Sequence, residues 1–156
     1  MQLRRGCRLL WVALPVVAVD RVCKAAIMRA MVPGQVQTAL PGLLSWAYTR
    51  NRGMAFGLLS GAAVLPLLTL ALIITLLVWM LRRPEAGGML RSGLWLIVGG
   101  GLSNLYDRLA YGCVIDFIRL DFVNFAIFNP ADVFICAGAV LVAIAVLTED
   151  RRKAHG

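Results

Sequence analysis

Residues 53–81 read GMAFGLLSGAAVLPLLTLALIITLLVWML, a run without one charged side chain. As a helix rising 1.5 Å per residue it would reach roughly 43 Å, whereas the hydrocarbon core of a bilayer is about 30 Å thick. Its beginning is therefore expected outside the hydrocarbon. Gly53, Gly57, Ser60 and Gly61 mark that part as a loop or short interfacial helix, which leaves residues 62–81 as a spanning helix. Working outward, Arg82, Arg83, Pro84, Glu85 and the Gly87-Gly88 pair read as a short turn. A second apolar stretch at 90–109 carries Gly93, Gly99, Gly100 and Gly101, small residues that permit close helix contact, and another follows at 129–148.

The N-terminus is open to two readings. Arg4, Arg5 and Arg8 precede the charge-free residues 9–19, the pattern of a cleavable signal peptide, with Val17 and Ala18 suited to a cleavage site. Continued past Asp20, Arg21 and Lys24 to Met28, the same stretch makes a spanning helix, 9–28, with polar groups at its outer end. The expected fold is all-α and integral to the membrane, with four transmembrane helices in a single domain, 1–156. The long outer loops are 29–61 and 110–128.

Composition agrees. Of 156 residues, 60% are hydrophobic and 15% charged, and mean hydropathy is +0.80, well beyond the usage of a soluble domain. The net charge of +8 has no polar domain on which to display a nucleic-acid surface, so no nucleic-acid partner is expected. Four spans put both termini on one side with Arg4, Arg5, Arg8, Arg82, Arg83, Arg91, Arg151, Arg152 and Lys153, against Arg29, Arg50, Arg52, Arg108 and Arg119 opposite. The positive-inside rule makes the termini cytoplasmic. Cys7, Cys23, Cys113 and Cys136 are scattered and read as free thiols. His155, the single histidine, lies next to the C-terminus, which removes histidine-dependent zinc sites and triads; no metal or cofactor is expected.

In the first outer loop, Val36, Thr38, Leu40, then Leu44, Trp46 and Tyr48 alternate around Pro41-Gly42, the pattern of a small hairpin; residues 113–118 read as a short strand. Asp20, Lys24, Asn51, Asn104, Asp107, Arg108, Asp116, Asn129 and Asp132 all fall at or near the outer ends of the spans. Ion-coupled transporters place carboxylates near the midplane, whereas convergence at one interface suits a substrate lying in the membrane surface.

Each of these residues also has a plain reading. Asn129, Pro130 and Asp132 suit the N-cap, N1 and N3 positions of the last helix. Asp20 and Lys24, spaced i, i+4, suit a structural ion pair, and Asn104 and Arg108 share one helical face with Asp107 beside them. Asp116, an acid inside an apolar strand near lipid, is a functional candidate by default.

Four segments, in order, resemble the prolipoprotein signal peptidase (type II signal peptidase) family: DRVCK at 20–24, NRGMAF at 51–56, GGLSNLYDRLAYGCVIDF at 100–117 and FNPAD at 128–132. Ser103 stands at a usual glycine and Met54 at a usual small residue. The resemblance implies an aspartic endopeptidase of the bacterial inner membrane, its active site at the extracytoplasmic face. It would cut diacylglyceryl-modified prolipoproteins on the amino side of the lipidated cysteine, as a monomer whose partners are those substrates and membrane lipid. It further implies Asp116 and Asp132 as the catalytic pair and Asn51, Gly53, Asn104, Arg108 and Asn129 as supporting or substrate-binding residues, with Asp20, Lys24 and Asp107 in structural support. A small β cradle at 36–48 and a mobile flap at 50–60, hinged at Gly53 and Gly57, are also implied. Two close carboxylates share a proton, so one can activate water while the other hydrogen-bonds the scissile carbonyl. Two alternatives stand beside this: a hydrolase pairing Lys24 with Ser45, Ser60 or Ser103, and a small transporter or packing partner using interfacial carboxylates.

Overall fold

The computed structural model describes residues 2–53 and 64–154. Helix α1 (Gln2–Ala30) leads into a hairpin of β1 (Val36–Leu40) and β2 (Leu44–Asn51). Then come α2 (Val64–Arg82), α3 (Gly88–Tyr111), β3 (Val114–Leu120) and α4 (Pro130–Ala154). The described residues are mostly helical, with one small sheet. Among the described residues, two helical segments, Val64–Arg82 and Pro130–Thr148, are long and apolar enough to cross a membrane. The flap expected at 50–60 lies, from Met54 onward, outside the described residues.

Helix α3 is the centre of the bundle, because its glycines let neighbouring backbones approach. A Cβ at Gly93 would meet the Gly138 carbonyl of α4 at 2.7 Å, and one at Gly100 would meet the Ala131 carbonyl at 2.5 Å. On another face, a Cβ at Gly99 would stand 3.1 Å from the Ala13 backbone of α1. Ala13, Ile73, Met80, Leu94, Trp95, Val98 and Leu105 fill the space between helices. Ala13, Val16, Asp20 and Lys24 are all buried in α1. Signal-peptide cleavage after Ala18 would strip Ala13 and Val16 from this core, whereas the uncleaved helix retains them.

Gly112 ends α3 in the left-handed region (φ 68°), its N–H returned to the Arg108 carbonyl at 3.1 Å; glycine adopts this conformation without the Cβ penalty. The reversal sends the chain directly into β3. The hairpin forms where expected, turning at Gly42 (φ 72°). The strand expected at 113–118 runs as Val114–Leu120 and pairs antiparallel with β2, so hairpin and strand are one sheet of order β1-β2-β3. Its register sets Thr49 against Asp116 and Asn51 against Val114. Met31, Tyr48, Cys113, Ile115 and Phe117 form a second core, against which Cys23, Ile27 and Met28 of α1 also pack. Ser45 donates to Asp121 at 2.6 Å and Arg119 pairs with the same carboxylate at 2.8 Å, tying the end of β3 to the hairpin.

Candidate active site

The start of α4 holds one of the acids. Pro130 at N1 has no N–H to satisfy, the Ala131 N–H donates to Asp20 Oδ1 at 3.0 Å, and the Asp132 N–H donates to Asn129 Oδ1 at 3.1 Å. In return, the Asn129 N–H donates to Asp132 Oδ2 at 3.1 Å. This is reciprocal N-capping, as the plain reading expected. It leaves Asp132 Oδ1 free for a different contact, the Asn104 side-chain amide at 2.8 Å. Asp132 therefore caps its helix with one oxygen and faces the site with the other.

Asp116 comes from the sheet. Asn51 stands diagonally across from it on the same face of the β2–β3 ladder, and its Nδ2 donates to Asp116 Oδ2 at 2.8 Å. Asn129 Nδ2 donates to Asp116 Oδ1 at 2.7 Å. Each of these amides is oriented from its other end. Asn51 Oδ1 accepts from the Gly53 N–H at 3.0 Å, Asn129 Oδ1 from the Asp132 N–H, and Asn104 Oδ1 from Lys24 Nζ at 2.9 Å. The oxygen of each amide is engaged, so the NH2 ends turn toward the two acids. Asn129 touches both acids, one through its side chain and the other through its backbone.

Behind the acids lies a buried ionic cluster. Lys24 Nζ is 2.8 Å from Asp20 Oδ2 and 2.7 Å from Asp107 Oδ2, and none of these three side chains has exposed surface. Asp107 also accepts the Ile115 N–H at 3.2 Å. The expected i, i+4 pair of Asp20 and Lys24 is present, but it is one edge of a larger network. Arg21, to which sequence reasoning assigned no role, bonds Asp107 Oδ1 at 2.6 Å and lies over the Tyr106 ring. Its Nε donates to Ser103, whose hydroxyl donates to Asp20 at 2.5 Å. These partners lie 82 to 86 positions from Arg21 along the chain, so no local signal announces them.

The same contacts speak to the serine–lysine alternative. All three Lys24 hydrogens are directed at acceptors, two of them carboxylates, which leaves no lone pair with which to take a proton. Ser103 bonds Asp20 and Arg21, and Ser45 bonds Asp121. Ser60 lies outside the described residues.

Both acids line a cavity of about 630 Å³, together with Asn51, Gly53, Asn104 and Arg108; Phe125, Ile127, Val133 and Val140 supply an apolar wall. Arg108 brings a positive charge to it and donates to the Asn104 carbonyl at 3.3 Å. Burial pushes the Asp116 carboxyl up to about 6, opposed by the Asn51 amide and reinforced by the charge of Asp132. An acid that keeps its proton toward neutrality can donate a hydrogen bond to a carbonyl.

Polar chemistry at the head of an apolar helix, opening onto an apolar wall, suits action on a substrate held in a membrane. A profile of the signal peptidase (SPase) II family matches residues 12–148. The lipoprotein signal peptidase of Streptococcus pneumoniae is 35% identical over 140 residues, covering 89% of this chain and 92% of that protein. That of Syntrophomonas wolfei is 39% identical over 138 residues, covering 88% and 91%. Among solved structures, a bacterial membrane enzyme determined in meso at 2.3 Å resolution superposes with a TM-score of 0.87 at 30% identity, covering 94% of this chain and 91% of the other. The chain belongs to the signal peptidase II family.

Proposed function

We propose that this chain removes the signal peptide from diacylglyceryl-modified prolipoproteins, as an aspartic endopeptidase in which Asp116 and Asp132 form the catalytic pair. The protease activity follows from family membership. The aspartic mechanism is carried by one observation: Asn129 donates to Asp116 and to Asp132, joining two acids from different elements beside one cavity. Asp132, at a helix N-terminus and accepting two N–H groups, is suited to the anionic role. Asp116, with its raised affinity for a proton, is suited to hold the acid proton. The anion removes a proton from water, which attacks the scissile carbonyl while protonated Asp116 hydrogen-bonds the carbonyl oxygen. A proton then passes to the departing amine. Cleavage falls on the amino side of the lipidated cysteine and needs no covalent acyl-enzyme.

In this reading all four helices span the bacterial inner membrane, both termini are cytoplasmic and the acids lie at the extracytoplasmic face. The enzyme works as a monomer, without metal or cofactor, on substrates that arrive through membrane lipid. Incubation of the purified protein with a diacylglyceryl-modified prolipoprotein tests this directly. Mass spectrometry should show a loss equal to the signal peptide, and an intact substrate would overturn the assignment.

A further inference from the structure

Lys24 is fully buried in α1, and its three hydrogens go to three side chains: Asp20, Asp107 and Asn104. Each of these in turn grips one half of the acid pair. Asp20 accepts the N–H of Ala131, the residue immediately before Asp132. Asp107 accepts the N–H of Ile115, the residue immediately before Asp116. Asn104, its oxygen taken by Lys24, donates its amide to Asp132 Oδ1.

We propose that Lys24 is a positioning residue for the peptidase reaction: one buried ammonium ties together the three groups that hold Asp116 and Asp132 in their mutual geometry. The proposal rests on the acid-pair reading given above and adds the device that maintains it. Charge balance alone does not explain the arrangement. Arg21 already bridges Asp20 and Asp107 from the partly exposed side, through Nη2 at 3.4 and 2.6 Å, and its bonds do not extend to Asn104. Lys24 alone among the described cations reaches both bridged acids and the amide that faces Asp132. Rigid placement matters because an acid pair must act on one water and one carbonyl, and small displacements cost rate rather than affinity.

The test compares full-length wild type, Lys24→Met and Asp132→Asn with a diacylglyceryl prolipoprotein, each normalised to folded enzyme by thermal unfolding. Lys24→Met should lower kcat by about a hundredfold with KM within about twofold of wild type, the pattern of lost alignment rather than lost binding. Wild-type kcat per folded molecule, with Asp132→Asn inactive, overturns the proposal while sparing the acid pair. If Asp132→Asn is active, the acid-pair reading itself fails, and this proposal with it. Should Lys24→Met not accumulate, Lys24→Met/Asp107→Asn restores the buried charge balance, leaves an oxygen for the Ile115 N–H and is judged by the same kcat criterion. Independently of any variant, 15N-labelled wild type should show the Asn104 side-chain amide protected from solvent exchange. Exchange at the rate of a free amide overturns the proposal.

Discussion

Asp116 receives two amide donors, from Asn51 and Asn129, and Asp132 receives the Asn104 amide and the Asn129 N–H. Replacing either acid by asparagine keeps the shape and removes the ability to exchange a proton. Asp116→Asn and Asp132→Asn should each abolish cleavage while the protein still inserts and unfolds cooperatively; more than a few per cent residual turnover in either purified variant would exclude that residue from the pair. The raised Asp116 value sets a pH signature. Below about 6 the proton stays on Asp116, so kcat/KM for the free enzyme should fall as pH rises through that value. Stability follows the same group. The folded state holds this proton more tightly than the unfolded chain, whose carboxyl sits near 3.8. The stabilisation is complete below pH 4 and fades as pH rises from 4 to 6. Thermal unfolding followed across that window should show the decline in wild type and a flatter profile in Asp116→Asn.

At the scale of elements, α4 must lie hard against α3 for Asn104 to reach Asp132. The Gly100 contact with the Ala131 carbonyl is where that closeness is set. Gly100→Ala places a Cβ 2.5 Å from a backbone oxygen one residue before Asp132, so the start of α4 must move. The expected cost is about 1–3 kcal/mol of stability and a much larger loss of kcat. At Gly101 a Cβ would meet the Ile73 side chain at 3.4 Å, an ordinary contact, and Gly101→Ala should retain its turnover. Equal activity in the two variants would show that this contact does not position the acid. The glycines themselves were legible in the sequence, as were the hairpin around Gly42 and the capping pattern at 129–132. Partnership between the elements was not. Nothing local indicates that β3 joins the hairpin, that its register brings Asn51 beside Asp116, or that Asp20 caps a helix 111 positions away. Likewise Lys24 and Asp20 read as an i, i+4 pair because that spacing is visible along one helix, while Asp107 and Asn104 enter the cluster only through tertiary packing.

At the scale of the whole molecule, the cavity draws its polar lining from the sheet, α3 and the start of α4, and its apolar wall from α4 and the loop before it. Phe125, Val133 and Val140 line it, yet each keeps about half its surface uncovered, at 54%, 49% and 57%. Val133 and Val140 stand on a helix apolar enough to span a membrane, and Phe125 lies in the loop before it; in the proposed reading these bare side chains face lipid rather than water. A substrate entering there would slide in sideways, with its acyl chains remaining in a hydrocarbon-like environment. The acyl chains then do not gain energy by leaving water, because they are already in the bilayer. Their contribution, in the proposed reading, would be to hold the modified cysteine at the depth of the acids, next to the apolar wall, while the signal peptide approaches from the other side of the cut. Loss of the diacylglyceryl group should therefore lower kcat/KM even when the signal peptide still anchors the substrate in the same bilayer, by tenfold or more if alignment is worth about 1.4 kcal/mol. The comparison uses one prolipoprotein with and without the lipid, co-reconstituted with enzyme at equal surface density, and follows release of the signal peptide. Equal rates would mean that the acids recognise the peptide alone and that the bare side of the cavity is not the entrance.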